Sequence, residues 1–127
     1  MIKPKPRCFG AAIIPISVID GDVYYLLGQE SYFKNWRDSL TWSAFGGSTE
    51  KKDIDCEATA AREFCEETAY VVDLFNNQCS DMKRMRDSIA SGLRAKNFLF
   101  AIRHDVDIRG YFTTFVVLFP FDPTVQD

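Results

Sequence analysis

The sequence predicts an α/β fold, in which a mixed β-sheet is flanked by helices as an α/β/α sandwich. Aromatic and β-branched stretches near both ends of the chain indicate strands, and two segments between them have the spacing of helices. At 127 residues and 46% hydrophobic content, the chain is long enough to bury a core without disulfides. We expect one domain over residues 1–127.

The first predicted elements form a hairpin. Residues 8–19 are apolar and rich in β-branched side chains, which predicts a strand, with Pro15 marking an edge or a bulge. Asp20, Gly21 and Asp22 are typical turn residues. They connect the first strand to a second one at 23–29.

A loop, a short strand and a helix follow. Residues 31–40 are polar and aromatic, which favours a loop, and 41–45 read as a strand leading into a turn at the glycine pair 46–47. Asp55 is a good N-cap for a helix that runs to about Thr68.

The second half of the chain predicts a strand, a helix and two paired strands. Residues 70–74 are apolar and indicate a strand. A helical stripe within 80–96 is formed by Met82, Met85, Ile89 and Leu93. Residues 98–103 and 111–119 are expected to pair across a turn-rich segment at 105–110.

The first helix has an acidic face. Glu63, Glu66 and Glu67 fall within an arc of about 100°, and the small apolar residues of the helix lie on the other side. Like charges four residues apart cost a few tenths of a kcal/mol, and a divalent cation would offset their repulsion. A solvated acidic face is the alternative interpretation.

The segment that contains this helix resembles the Nudix box, whose pattern is G-x5-E-x7-R-E-U-x-E-E-x-G-U, where U is a bulky apolar residue. Residues 62–70, REFCEETAY, match its second half except that Ala69 replaces the last glycine. The first half is weaker, because Gly47 is one residue too far from Arg62. Counted back from Arg62, Ile54 occupies the place of the first glutamate; Asp53 or Asp55 is a candidate replacement.

The resemblance implies a Nudix-like sandwich and a magnesium or manganese site. It implies that Glu63, Glu66 and Glu67 are metal ligands, with the carbonyl of Gly47 as a further oxygen, which suits hard divalent cations. It also implies that Arg62 supports the glutamates by ion pairing. Glu66 or Glu67 is the candidate general base. The reaction implied is hydrolysis of a pyrophosphate linkage in a nucleoside diphosphate derivative, with metal assistance.

Substrate recognition is predicted from residues before the glycine pair. Trp36 and Trp42 are candidates for stacking on a nucleobase, and Arg37 for binding a phosphate. Loop and core packing is the alternative role of these aromatic residues. The sequence distinguishes none of the nucleotide-derived substrates from another, and nothing in it points to an RNA cap in particular.

Composition excludes several other classes of protein. A net charge of −3 argues against general electrostatic binding of nucleic acid. No apolar run approaches the length of about 20 residues that spans a bilayer, so we expect an intracellular, cytoplasmic protein without a membrane partner. The four cysteines form no CxxC pair and are expected to be reduced thiols. His104 is the only histidine, which excludes a multi-histidine metal site.

Two functional hypotheses result. The first is a Nudix-type hydrolase. The second is a catalytically silent Nudix-like domain that binds nucleotide or another protein; Ile54 and the extra residue before Arg62 motivate it. Relatives commonly add a helix after the last strand, so we expect either a minimal domain that lacks this C-terminal helix or a piece of a longer polypeptide.

Overall fold

The computed structural model describes residues 5–29, 34, 35, 37, 41–75, 77–79 and 81–120. These residues form seven strands and two helices. In chain order they are β1 (Arg7–Ile19), β2 (Asp22–Tyr25), β3 (Gly28–Gln29), β4 (Trp42–Ser43), β5 (Phe45–Ser48), α1 (Cys56–Glu67), α2 (Met82–Arg94), β6 (Phe100–Asp107) and β7 (Gly110–Leu118).

The main sheet is mixed, which confirms the predicted fold class. Its order is β2-β1-β7-β6, and β5 also pairs with β1. The β1–β7 pair is parallel, whereas β1–β2, β1–β5 and β6–β7 are antiparallel. A second, two-stranded sheet is formed by β3 and β4. The long strand β1 is therefore the centre on which the other elements are arranged.

Pro15 does not mark an edge, because β1 lies inside the sheet. It pairs with Val117 of β7 and lies between the residues of β1 that pair with β5, at 10–13, and those that pair with β2, at 16–19. The bulge of β1 lies instead between Cys8 and Gly10. Proline lacks an N–H, which a strand tolerates where its partner on that side changes.

The predicted β1–β2 hairpin is confirmed, although β2 is shorter than expected. Ile19 pairs with Asp22, which leaves Asp20 and Gly21 as a two-residue turn. Both turn residues have positive φ, 52° and 85°. This is the geometry that matches the twist of two antiparallel strands.

The glycine pair 46–47 was expected to form a turn, and this prediction is wrong. Both glycines lie inside β5, opposite Ala12 and Ala11 of β1. A Cβ on Gly46 would lie 2.3 Å from the Cβ of Ala12. Glycine is therefore required here by close packing of the two strands and not by turn geometry.

One hydrophobic cluster joins both helices to alternate residues of β1 and β7. Phe64 of α1 and Ile89 of α2 are fully buried in it, and Phe45 meets Phe64 edge to face at 5.4 Å between ring centroids. The apolar stripe predicted for α2 is confirmed at Met85, Ile89 and Leu93, while Met82 is exposed. Because α1 packs between the sheet and α2, its acidic face is held in a fixed orientation.

The strand predicted at 70–74 is absent from the structure, and the reason is the end of α1. Ala69 and Tyr70 both have positive φ, 54° and 59°, which turns the chain away from the helix axis. The amide of Tyr70 donates to the carbonyl of Cys65, and the amide of Ala69 donates to that of Glu66. This pair of bonds is a Schellman motif, and Ala69 occupies its usual glycine position.

The prediction of four reduced cysteines is wrong for two of them. Cys8 of β1 and Cys56 of α1 form a disulfide across 48 residues of sequence. Their spacing gives no sign of this, because folding brings the two Cα atoms within 5.7 Å. Cys65 and Cys79 are free. Burial raises the pKa of the Cys65 thiol to about 12, which keeps it protonated.

Neither of the described helices is long and apolar enough to cross a membrane.

Candidate functional site

The candidate site is built around Arg62, a buried arginine on α1. Its side chain is 5% exposed, and its guanidinium contacts oxygens from the loop before α1, from β5 and from α1 itself. Hydrogen bonding to Asp53 raises the pKa of Arg62 above its ordinary value, although desolvation opposes this. The positive charge is therefore permanent, and the residues that contact Arg62 are mostly acidic.

Asp53 is the principal partner of Arg62. Its carboxylate is 4% exposed and accepts hydrogen bonds from Nε at 3.1 Å and from Nη2 at 2.9 Å. Burial by itself would raise the pKa of Asp53, but hydrogen bonds from Arg62, the Glu50 amide and the Thr59 hydroxyl outweigh it and lower the pKa. A bidentate pair of this kind fixes both side chains. Asp53, and not Asp55, thus provides the carboxylate next to Arg62.

Asp55 has a different role. It is the N-cap of α1, accepting a hydrogen bond from the amide of Ala58 at 2.8 Å. Its carboxylate also accepts two hydrogen bonds from Arg94 near the end of α2, at 2.6 Å and 3.0 Å. The hydrogen bond from Arg94 is the main reason that the pKa of Asp55 is lowered. Asp55 therefore holds α1 and α2 together at this end.

Thr59 joins the loop before α1 to the helix. It is fully buried, and its hydroxyl lies 3.0 Å from Oδ2 of Asp53 and 3.0 Å from the hydroxyl of Thr49. The amide of Glu50 donates to Asp53 at 3.0 Å, and the amide of Asp53 donates to the carbonyl of Glu50. These bonds give the loop a defined conformation in which Asp53 points towards Arg62.

Two glutamates of α1 contact the other side of the guanidinium. Nη1 of Arg62 lies 2.9 Å from Oε1 of Glu63 and 3.3 Å from Oε2 of Glu66. Glu63 is largely buried, with 18% of its side chain exposed, and Glu66 is 47% exposed. Arg62 thus offsets part of the repulsion on the acidic face. Glu67 is exposed at the end of the same helix.

Gly47 lies against the carboxylate of Glu63. A Cβ on Gly47 would come within 2.6 Å of the carboxyl carbon of Glu63 and within 2.7 Å of its Oε1. Any larger residue would displace this carboxylate from its position between β5 and α1. The carbonyl of the next residue, Ser48, accepts a hydrogen bond from Nη2 of Arg62 at 2.9 Å. The glycine therefore permits the close approach of strand and helix that forms the site.

The donor atoms of the predicted metal site suit magnesium or manganese. Glu63, Glu66 and Glu67 offer carboxylate oxygens, which hard divalent cations prefer, and Glu63 packs against Gly47. Within the described residues, no three acidic, histidine or cysteine side chains converge as a ready metal cage. Glu63 and Glu66 are instead directed to Arg62. The chemistry of the donors fits the cation, and the ligand set remains a prediction.

The predicted substrate residues are only partly described. Trp36 lies outside the described residues. Arg37 is exposed, and Trp42 lies on β4 opposite Gln29 with 63% of its surface exposed. Ile54, at the expected place of the first glutamate, is 82% exposed and contributes no carboxylate. His104 is exposed on β6.

Glu50 was not predicted as a site residue, although its Oε1 lies 3.4 Å from Nη1 of Arg62. Asp53 and Asp55 were predicted only as alternatives. A signal for Asp53 was present: counted forward from Gly47, Asp53 stands at the spacing of the first glutamate, six positions on. The extra residue therefore falls between Asp53 and Arg62.

The family model of the NUDIX domain matches residues 8–110. The NUDIX domain of Shewanella oneidensis NrtR, solved in complex with ADP ribose, is similar over 93% of this chain and 64% of that one, with 17% identity and a TM-score of 0.51. Shewanella oneidensis NrtR itself matches over 89% of this chain and 42% of that one, with 19% identity and a TM-score of 0.45. A search of curated proteins found no match.

The family match covers most of the chain, including β1, the site around Arg62 and both helices. The chain spans 64% and 42% of the two solved chains. At 17% identity, the likeness to the first of them supports the fold alone. The matched region contains Gly47 and the acidic helix, the same segment in which the Nudix-box pattern was found. On the extent of this match, the chain belongs to the Nudix family.

Proposed function

We propose that this protein is a magnesium- or manganese-dependent pyrophosphohydrolase that acts on a nucleoside diphosphate derivative. One observation carries the proposal. Glu63 is pressed against Gly47 and held by Arg62, at 2.9 Å, on the same helix face as Glu66 and Glu67. A buried, permanently charged arginine that orders carboxylates beside a strand is an arrangement suited to a site that binds a cation and phosphate.

In this proposal Glu63, Glu66, Glu67 and the carbonyl of Gly47 hold the metal ion. When bound, the ion supplies charge neutralisation of the phosphates and lowers the pKa of a bound water. Glu66 and Glu67 are the candidate bases for that water, because both are exposed at the surface of α1. Arg62 is a positioning residue, since its contacts with Asp53 and Glu63 fix the helix face.

A hydrolysis assay tests the proposal. The purified protein is incubated with magnesium or manganese and a panel of nucleoside diphosphate derivatives, and release of nucleotide is measured. The NrtR complex makes ADP-ribose a sensible first member of the panel; sugar nucleotides, dinucleoside polyphosphates, oxidised nucleotides and capped RNA complete it. We expect turnover that requires the metal, and loss of that turnover in Glu66→Gln and Glu67→Gln.

Glu57→Gln is the matched control. Glu57 lies in the first turn of the same helix and carries the same charge, and it is not among the partners of Arg62. Turnover in this variant should equal that of the wild type. If Glu66→Gln and Glu67→Gln both turn over as fast as the Glu57→Gln control, the catalytic assignment is wrong.

The second candidate function is a catalytically silent domain that binds a nucleotide derivative. It is favoured by the loop before α1: counted from Gly47, the family's first glutamate is replaced by Asp53, whose side chain is 4% exposed and bonded to Arg62. Thermal unfolding with manganese and each nucleotide distinguishes the two, since a ligand at 100 times its dissociation constant stabilises the folded state by about 2.7 kcal/mol. A shift that needs both metal and nucleotide, without any turnover, supports this second function.

A further inference from the structure

Strand β6 is an edge strand of the main sheet. β6 pairs with β7 on one side, and within the described part of the chain no strand pairs with its other side. All eight residues of β6, Phe100–Asp107, are exposed. An eight-residue edge of this kind presents backbone N–H and C=O groups in a row, which is a template for pairing with another strand.

The centre of β6 carries charged side chains of opposite sign, which restricts how another strand can pair with it. Arg103 and Asp105 pair with Thr113 and Tyr111 of β7, which places both charged side chains on the same face of the sheet. His104 lies between them on the other face. Nε of Arg103 is 3.0 Å from Oδ1 of Asp105, and its guanidinium lies over the ring of Tyr111. β6 thus carries Arg103 before His104, and Asp105 and Asp107 after it.

We propose that this edge of β6 pairs with the same edge of a second copy of the chain. The two strands run antiparallel about a two-fold axis at His104 and form one continuous sheet. In this register Arg103 of each copy lies opposite Asp105 of the other. Directly opposite charges of unlike sign stabilise antiparallel strands, and the axis produces this contact twice.

Neighbouring registers are less favourable for the same reason. If the axis lay at Arg103, this arginine would face its own copy, and if it lay at Asp105, two carboxylates would face each other. Like charges directly opposite one another destabilise a strand pair. Among these three registers, the order of charges along β6 selects His104 as the position of the axis.

The apolar residues of β6 support a second copy as the partner. Phe100 and Ile102 are each 52% exposed, although they lie on a strand of the main sheet. The proposed register places Ile102 against Val106 of the second copy, which is 56% exposed and lies where the register of β6 shifts between Asp105 and Asp107. Pairing would remove apolar surface from water on both copies at once, and this favours association.

The test uses charge reversal in the full chain. Sedimentation analysis should show a dimer of the wild type that is lost in Arg103→Glu and in Asp105→Arg, because each variant places like charges opposite each other. Mixing the two variants restores complementary charges at both contacts. We therefore expect a heterodimer in the mixture, and a dimer again in the double variant Arg103→Glu/Asp105→Arg.

Lys83→Glu is the control for the change in net charge. Lys83 lies on α2 with 79% of its side chain exposed, and its reversal should leave the dimer intact. A wild type that stays monomeric up to its solubility limit overturns the proposal. So does a dimer that survives Arg103→Glu, or a mixture of the two single variants that remains monomeric.

Discussion

At the scale of single residues, the site depends on the pair formed by Arg62 and Asp53. Both side chains are about 5% exposed or less, and the pair has two short N–O contacts. Taking two charges out of water is costly, and good geometry with further hydrogen bonds compensates for it. Here Thr59, the Glu50 amide and the Ser48 carbonyl supply those bonds. Removal of one partner leaves the other buried without its opposite charge.

Arg62→Ala is therefore expected to lower the free energy of unfolding by about 3–5 kcal/mol, because it leaves Asp53 as an unpaired buried carboxylate. Chemical denaturation measures this change. Arg84→Ala is the control: Arg84 is a helix arginine paired with Asp81, but 78% of its side chain is exposed. Its loss should cost less than about 1 kcal/mol. If both substitutions lowered the free energy of unfolding by the same amount, burial of the Arg62–Asp53 pair would not explain its contribution to stability.

The lowered pKa of Asp53 predicts a pH dependence of stability. A carboxyl group with a depressed pKa in the folded state stabilises the protein fully above its unfolded pKa of about 4, and this contribution is lost as the pH falls through the folded pKa. The free energy of unfolding of the wild type should therefore decrease below about pH 4. In Asp53→Asn this acid dependence should be weaker, which denaturation at several pH values measures. If the free energy of unfolding of Asp53→Asn fell with pH as steeply as that of the wild type, Asp53 would not be the source of the acid dependence.

At the scale of elements, both helices end in a Schellman motif, and in both a residue other than glycine occupies the position with positive φ. After α2, the amide of Lys96 donates to the carbonyl of Leu93, and the amide of Asn97 donates to the carbonyl of Gly92. The amides of Ala69 and Tyr70 make the equivalent hydrogen bonds after α1. Lys96 and Ala69 have φ values of 63° and 54° at the position where glycine is preferred. A Cβ is unfavourable in this conformation.

We expect Ala69→Gly and Lys96→Gly each to stabilise the protein by about 1 kcal/mol, because glycine adopts positive φ without the steric cost. Ala95→Gly is the matched control. Ala95 precedes Lys96 with φ of −77°, so glycine there only adds unfolded-state entropy and should destabilise the protein slightly. Thermal or chemical unfolding of the three variants gives the comparison, and stabilisation by Ala95→Gly as well would argue against the conformational explanation.

At the scale of the whole molecule, the Cys8–Cys56 disulfide links the start of β1 to the start of α1. It closes a long loop that includes β2, β5 and the segment with Asp53. A cross-link of this length restricts the unfolded chain and typically stabilises a protein by about 2–4 kcal/mol. The N-cap Asp55 is the neighbour of Cys56, so the link also secures the beginning of the site helix.

A thiol reductant should therefore lower the unfolding temperature of the wild type, because it opens this cross-link. The double variant Cys8→Ser/Cys56→Ser should unfold at the lower temperature and be insensitive to the reductant. Cys79→Ser, which removes a free cysteine, should keep the sensitivity of the wild type. If the double variant still responded to the reductant, the disulfide would not be the source of the effect.

Elements that are marked by a local sequence pattern were predicted correctly. The turn residues 20–21, the N-cap Asp55 and the apolar stripe of α2 each act over a few neighbouring positions. All three are confirmed, the stripe except at Met82. One failure occurred where a distant contact decides the conformation: the glycines 46–47 are strand residues because β1 packs against them. The other has a local cause: the apolar segment 70–74 is not a strand because Ala69 and Tyr70 have positive φ at the end of α1.

The sequence by itself determined the family, the acidic face of α1 and the presence of a carboxylate near the start of that helix, since these depend on residue type and spacing along one chain segment. Only the tertiary structure decided that Asp53 pairs with Arg62, that Asp55 instead joins the helices through Arg94, and that Cys8 bonds to Cys56. The physical reason is that each of these contacts joins two separate segments, and their approach is set by the packing of α1 on β1, β5 and α2 and not by residue spacing within one segment.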